Sequence, residues 1–526
     1  VIRVAIKESS RTKNSVKNIF ASLGGQLLVI VLRFVTRTVF IHTLGTEYLG
    51  INGLFSEILS MLSLTELGID TAINFQMYKP LAEHDDKRVR VLMKFYKQAY
   101  RIIGLVIFLL GLCLIPVLRF LIKDYDSLEG LGINAVLIFI LYLLQSVSSY
   151  LFFAYRSTIM KANQKKYILD IAGYAIMLAT NISQILVLVY LRNFVIYTAT
   201  VILFNIIQNV INAVIVQKYY PQFFIKEEES LSKAEVQSLF KDCGALFVYK
   251  INAVVLKATD NTILSTFIGL KIVGLYSNYL LFYSICKNML SMLYTSVKAS
   301  MGNLFAVSDD QKKYLFFEIM NYLTVILYGT AGIGIAVCAN EFISLWIGTE
   351  YTIKQPFPIL IGIELIFNGL KNNLGQIRNI SGAFRQMWFR PVLGIIVNLG
   401  VSIILVNICG IYGVIIGTIS ADLLTNFMVD PGVIHKYSLN NYKPVSNYYI
   451  KNIKYFIILV TVGIIDYLLC KFLVVNIAWL SLIVHVLIVA STVPVTFLLL
   501  YRNSNEYDYL IGIVRKIFNK RKSCNS

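Results

Sequence analysis

Apolar residues fall in continuous blocks of about 20 along this chain, separated by short polar breaks, and the pattern recurs from end to end. Blocks of this kind predict membrane-spanning α-helices. They exclude a β-barrel, whose strands alternate apolar and polar residues over only about 10 positions. Spans are expected near residues 17–43, 48–76, 92–118, 133–155, 167–191, 195–217, 240–267, 272–297, 315–340, 356–382, 389–409, 411–434, 453–472 and 477–500. The fold class that follows is an all-α polytopic membrane protein of about 14 transmembrane helices.

The polar breaks carry the orientation. Lys and Arg gather in the N-terminal segment (Arg3, Lys7, Arg11, Lys13, Lys17), in "HDDKRVRVLMKFYK" and "KANQKK", at Lys312–Lys313, from Arg378 to Arg390, and in the "KRK" tail. Positive residues stay on the cytoplasmic side, so both termini are expected there, with base-poor loops such as "KDYDSLEG" and "GTEYTIKQ" outside. The first span is expected to serve as its own insertion signal, since no short apolar leader precedes it. The same bias accounts for the formal net charge of +19 in a chain that is 57% hydrophobic. Nucleic acid is not an expected partner. Seven cysteines stand singly without metal-binding spacing and read as small core residues.

The longest inner break, "KYYPQFFIKEEESLSKAEVQSLFK", divides the chain near its middle, and Ser232 followed by Glu235 predicts a capped helix start there. The parts on either side resemble each other. The glycines of "TLGTEYLG", at 45 and 50, return at 269 and 274 in "FIGLKIVG", an offset of 224 residues. The same offset lays Arg33 on Lys257 and Asp85-Asp86-Lys87-Arg88 on Asp309-Asp310-Gln311-Lys312. A parallel repeat is expected: an N-terminal lobe over 1–217, a linker over 218–239, a C-terminal lobe over 240–436, and two further helices with a basic tail over 437–526. Two pseudo-symmetric six-helix bundles of this kind imply a central cavity.

Charges inside the spans are the candidate chemistry, because each costs about 2.5–3.5 kcal/mol near the bilayer centre. Arg33 and Arg37 lie four apart on the first span; Lys250, Lys257 and Asp260 share a stripe of the seventh; Lys287 lies on the eighth. Glu364, Lys371 and Arg378 follow at intervals of seven on the tenth, interleaved with Asn368, Asn372 and Gln376. Such spacings line each set along one helix face, which points to a hydrated cleft whose positive excess attracts an anion. Snorkelling of Arg33 and Arg37, or an ion pair of Lys257 with Asp260, are the plainer readings. Glu57 and Asp70 on the second span, with Asp260, Glu364 and Asp422, are candidates for binding Na+ or a proton, or for neutralising the bases. Tyr276, Tyr283 and Tyr294 on the eighth span are candidates for stacking on sugar rings, and His485 on the last span stands alone. No phosphate-binding glycine loop, no His-Glu-x-x-His motif and no catalytic set occurs, so no enzyme, metal or cofactor is expected beyond a coupling ion.

The stretches "RFVTRTVFIHTLGTEYLGINGLFSEILSMLSLTELGIDTAI", "TDNTILSTFIGLKIVGLYSNY" and "EFISLWIGTEY", in this order, resemble the polysaccharide-transport branch of the MOP flippase superfamily. That branch holds the Wzx-type lipid-linked oligosaccharide flippases and is similar to the lipid II flippases and the MATE exporters. The resemblance implies export of an undecaprenyl-pyrophosphate-linked repeat unit across the bacterial cytoplasmic membrane for capsule or other surface polysaccharide. Polysaccharide polymerase and glycosyltransferases are the implied partners. For the pyrophosphate it implies Arg33, Arg37 and Lys257, beside which the intramembrane bases Lys250, Lys287, Lys371 and Arg378 are further candidates for the same anion. A MATE-like cation or drug exporter, or an integral-membrane polymerase or glycosyltransferase, is the competing reading.

Overall fold

The computed structural model describes residues 11–62, 76–77, 80–81, 83–123, 125–126, 128, 132–163, 165–225, 229–237, 259–381, 389–473, 475–509 and 511–512. Among them every regular element is helical. In chain order the α-helices of six residues or more are α1 (Arg11–Leu44), α2 (Thr46–Leu62), α3 (Asp86–Leu114), α4 (Ala135–Leu151), α5 (Ser157–Ala162), α6 (Lys166–Leu186) and α7 (Phe194–Tyr219). They continue as α8 (Leu270–Val307), α9 (Asp310–Trp346), α10 (Phe357–Ser381), α11 (Arg390–Cys409), α12 (Ile411–Asp422), α13 (Asp430–Tyr437), α14 (Val445–Phe472) and α15 (Ala478–Leu500).

Eight helical stretches among the described residues are long and apolar enough to cross a membrane, or nine if α4 and α5, bent by 43°, form one broken span. The protein is a multi-pass helical membrane protein. α1, α8 and α10 are long enough but are not in that set; polar and charged residues interrupt their apolar stretches. Several helices outrun their apolar blocks. α9 extends the expected 315–340 to Asp310–Trp346, and α8 extends 272–297 to Leu270–Val307; polar ends need not stop at the hydrocarbon boundary because water satisfies them. The two blocks that meet at Gly410 are separate helices. Gly410 has φ of 60°, a left-handed turn that Gly adopts without steric cost.

The chain divides into two compact units, Val1–Gly274 and Leu275–Ser526. In the first, α1 packs on α6 and α7. Thr36 donates to Asn181 Oδ1 at 2.7 Å, and the Phe40 ring meets Phe194 and Tyr197 edge-on. α2 packs on α4 through Phe55 and Phe139, with the Tyr142 hydroxyl donating to Asn52 Oδ1 at 2.5 Å. In the second, one core joins α9, α10, α14 and α15 through Tyr322, Ile326, Ile366, Leu459, Val493 and Phe497. Lipid is as apolar as these side chains, so close packing rather than burial from water holds them together.

The sequence repeat has structural counterparts. Asp85 caps α3 by accepting from the Arg88 amide at 2.9 Å, and Asp309 caps α9 by accepting from the Lys312 amide at 3.1 Å. An added Cβ on Gly50 would lie 2.1 Å from the Leu270 carbonyl oxygen; one on Gly274 would lie 2.4 Å from the Thr46 carbonyl oxygen. Thr46 and Leu270 are themselves 224 apart. The two contacts are therefore reciprocal, each glycine resting on the first helical turn of the other segment.

The capped start at Ser232 forms as its sequence predicts. Ser232 and Glu235 cap each other, with the Ser232 amide donating to Glu235 at 2.8 Å and the Glu235 amide donating to Ser232 Oγ at 3.3 Å. Glu235 also pairs with Arg88 at 2.7 Å, and Glu229 with Lys87 at 2.5 Å. These donors, the Ser232 amide and hydroxyl first and then Arg88, lower the Glu235 carboxyl to about 2.

Candidate functional site

The charged stripe of α10 is satisfied from the segment that follows it. Lys371 Nζ lies 3.0 Å from Asp422 Oδ1, which also accepts from Asn426 Nδ2 at 2.7 Å. One stretch further along, Asp430 is fully buried between two arginines, Arg378 at 3.1 Å and Arg390 at 2.7 Å. Lys371 and Arg378 are seven residues apart, whereas Asp422 and Asp430 are eight apart. The backbone absorbs the difference. Residues Leu423–Val429 form a π-helical stretch between α12 and α13, and its wider turn keeps both carboxylates facing α10.

Around this pair of contacts lies a wider polar set. Glu364 of α10 is within electrostatic reach of Tyr283 and Lys287 on α8, and of Lys371 and Asp422. The Lys287 ammonium sits 5.5 Å from the Tyr283 ring centroid, a cation–π arrangement. Asn372 donates to the Tyr328 hydroxyl at 3.4 Å, and Gln376 to Asn372 at 3.3 Å. Counted formally, Lys287, Lys371, Arg378 and Arg390 face Glu364, Asp422 and Asp430, a surplus of one positive charge among these residues. Each charge in the set has an opposite charge within reach, so none of these partly or fully buried ions stands alone.

In the first unit, Arg33 is exposed and Arg37 is half-buried on α1, the latter in electrostatic reach of Tyr197 on α7. Glu57 is half-buried on α2, while Ser56 and Ser60 on the same helix are exposed. Asp260 is buried between Thr259 and Asn261, and Asn261 Nδ2 comes within 3.4 Å of where a Cβ on Gly53 would be. Lys250, Lys257 and Asp70 lie outside the described residues.

Two expectations change. Tyr276, Tyr283 and Tyr294 are buried. Tyr276 packs edge-on against Phe357, Tyr294 hydrogen-bonds Thr324, and the Lys287 ammonium lies over the Tyr283 ring; rings buried in this way present little surface on which a sugar could stack. His485 is not alone, since Glu341 and the Leu473 carbonyl meet its two ring nitrogens. Asp430, Arg390 and Asn426 were missed from sequence. The spacing of Asp422, Asn426 and Asp430, each four apart, is the signal that one helix face there is acidic.

A lateral apolar groove of about 540 Å³ opens between α9, α10 and α14, lined by Ile333, Ile366, Phe367, Leu459, Ile464 and Tyr467 among others.

No protein-family model matches the chain, nor does any curated protein sequence. Solved structures do match. The lipid II flippase MurJ, in an inward closed conformation, is 15% identical with a TM-score of 0.60, over 94% of this chain and 99% of its own. A mutant of the Vibrio cholerae MATE transporter VcmN is 13% identical with a TM-score of 0.53, over 82% of this chain and 98% of its own. An outward-facing multidrug resistance MATE family transporter of the MOP superfamily is 12% identical with a TM-score of 0.50, over 82% and 97%. The likeness is one of fold: this chain is built as the MATE transporters and MurJ are built.

Proposed function

We propose that this protein is a flippase of the MOP type that moves an anionic lipid-linked substrate across the membrane by alternating access. The substrate class we favour is an undecaprenyl-pyrophosphate-linked oligosaccharide repeat unit, carried across the bacterial cytoplasmic membrane for surface polysaccharide synthesis. The observation that carries the reading is the basic stripe of α10, with its formal positive surplus, inside a fold shared with a lipid II flippase. Fixed positive charge in a membrane interior attracts a diphosphate and offsets its dehydration. The apolar groove beside α10 suits an isoprenoid tail that never leaves the hydrocarbon. The match to MurJ also covers more of the chain than the MATE matches do, 94% against 82%.

In this mechanism Lys371 meets the pyrophosphate, and Asp422 takes Lys371 back when the substrate leaves; Arg33, Arg37 and Lys257 are the further bases assigned to substrate binding. Glu57, Asp70, Asp260 and Glu364 are the carboxylates available to a coupling Na+ or proton. The test is flipping of a fluorescent undecaprenyl-pyrophosphate-linked sugar in proteoliposomes. Arg33→Ala, Arg37→Ala, Lys257→Ala and Lys371→Ala are each expected to slow transport about tenfold or more, the loss of one charge-assisted contact. Full transport and unchanged affinity in all four variants would remove the basis of the reading. Tight binding of a lipophilic cation by the wild type would instead favour a MATE-like exporter.

A further inference from the structure

The last two helices are tied to α9 near both of its ends. Near its start, Lys451 of α14 lies 3.0 Å from Glu318 of α9 and also pairs with Glu506, beyond α15. One turn on, Asn321 donates to Asn452 at 3.2 Å and the Tyr322 hydroxyl donates to the Phe497 carbonyl at 2.9 Å. Toward the other end, Glu341 Oε2 lies 2.7 Å from His485 Nδ1 of α15. Glu318 and Glu341 are 23 residues apart. At about 1.5 Å per residue this is a rise of roughly 35 Å, slightly more than the roughly 30 Å of bilayer hydrocarbon. The two ionic ties therefore sit at opposite faces of the membrane. Phe342 packs against Trp346 and Trp479 beside the second tie, as aromatic residues do at an interface.

The two ties differ in chemistry. A lysine keeps its proton across the physiological range, whereas histidine is the side chain that ordinarily exchanges one there. The His485 ring is buried, and both its nitrogens face acceptors: Nδ1 the Glu341 carboxylate at 2.7 Å, Nε2 the Leu473 carbonyl at 3.0 Å. Both contacts are made only while ring and carboxyl together hold two protons, as imidazolium with carboxylate or as neutral ring with protonated Glu341. Removing one proton leaves lone pairs facing each other. If the ring keeps its Nε2 proton, the Glu341 contact fails; if it keeps the Nδ1 proton, the Leu473 contact fails. Among the described residues, Cys338 on α9 and Cys470 on α14 are within electrostatic reach of Glu341, and Asp466 on α14, which accepts from Thr492 at 2.8 Å, is within reach of both cysteines. All three are acids, so none competes with a cationic ring. The Glu341 side chain is 28% exposed against 5% for His485, which makes Glu341 the route by which a proton reaches the ring.

We propose that Glu341 and His485 form a proton-binding clasp that fastens α15 to α9 at one membrane face only, closed at low pH and released as pH rises. The Lys451 tie at the other face stays fast, so the helix pair loosens at one end like a hinge. The measurement is amide hydrogen exchange across residues 478–486 in detergent-solubilised full-length protein, corrected for the intrinsic effect of pH. Exchange is expected to be about tenfold faster at about pH 8.5 than at about pH 6, the loss of one charge-assisted hydrogen bond. His485→Gln should abolish the pH step, and His485→Lys should keep exchange slow at both values. Equal protection of the wild type at both pH values overturns the clasp, and does so without any variant having to fold. A pH step that survives in His485→Gln overturns it too.

Discussion

α3 and α9 begin with the same capped turn and occupy the same place in the repeat, yet they live in opposite surroundings. Ile102 and Leu109 of α3 are 62% and 52% exposed, whereas Ile326 and Ile333, their counterparts 224 residues on, are 7% and 6% exposed. The difference is α14 and α15, which pack on α9; Leu459 and Val493 share a core with Ile326 and Ile333. On α9 the added helices also find polar partners, Glu318, Asn321 and Glu341, where α3 offers Ile102, Leu105 and Leu109 to its surroundings. One copy of a duplicated helix remains a lipid-facing surface. The other has become a docking surface, and its polar groups are tolerable there only because the added helices satisfy them.

The most damaging way to break this comparison is to remove residues 445–526. α9 would then turn Glu318, Asn321 and Glu341 toward lipid, where each charged group costs about 2.5–3.5 kcal/mol at depth and less near the interface. The expected outcome is no monodisperse protein by size-exclusion chromatography in detergent. A truncated chain with an unchanged elution profile and melting temperature would mean that α9 does not depend on its cover.

A paired substitution sharpens the comparison. Leu105 and Gly329 are repeat counterparts, Leu105 being 57% exposed and Gly329 packed so that a Cβ would lie 2.5 Å from Leu459 Cδ2. Gly329→Leu should destabilise by about 1–3 kcal/mol through overpacking, and Leu105→Ala by no more than about 0.5 kcal/mol. Thermal unfolding of the two variants side by side decides it. Equal shifts would deny that the copies differ in burial.

The smallest effect concerns the starts of the two helices. Lys312 at the start of α9 pairs with its own capping residue, Asp309, whereas Arg88 at the start of α3 reaches out to Glu235 of the linker. The Glu235 carboxyl, lowered to about 2 by the Ser232 amide and hydroxyl and by Arg88, contributes fully above the ordinary carboxylate range and loses that contribution as pH falls through about 2. Glu235→Gln should therefore speed proteolysis of the linker at neutral pH. The difference from wild type should shrink below the ordinary carboxylate range and vanish near pH 2, with cleavage elsewhere unchanged.

Much of this was legible along the chain. Apolar blocks of spanning length announce helices because in hydrocarbon each backbone amide must bond within its own segment. The glycines at 45, 50, 269 and 274 and the Asp85 and Asp309 caps exposed the duplication because backbone geometry and capping are local demands that particular residues meet. The spacing of Glu364, Lys371 and Arg378 showed one charged face on α10. It did not show what that face meets.

Partners were decided by tertiary structure alone. That Lys371 faces Asp422, that Arg378 shares Asp430 with Arg390, and that His485 meets Glu341 from 144 residues away are consequences of which helices lie side by side. Helix periodicity records only which residues share a face. The sequence by itself therefore determined the kind of elements and where charge would fall along them. Packing of helices distant in sequence decided which charges are neutralised, and by what, because an ion pair depends on a few ångströms of separation that no local pattern encodes.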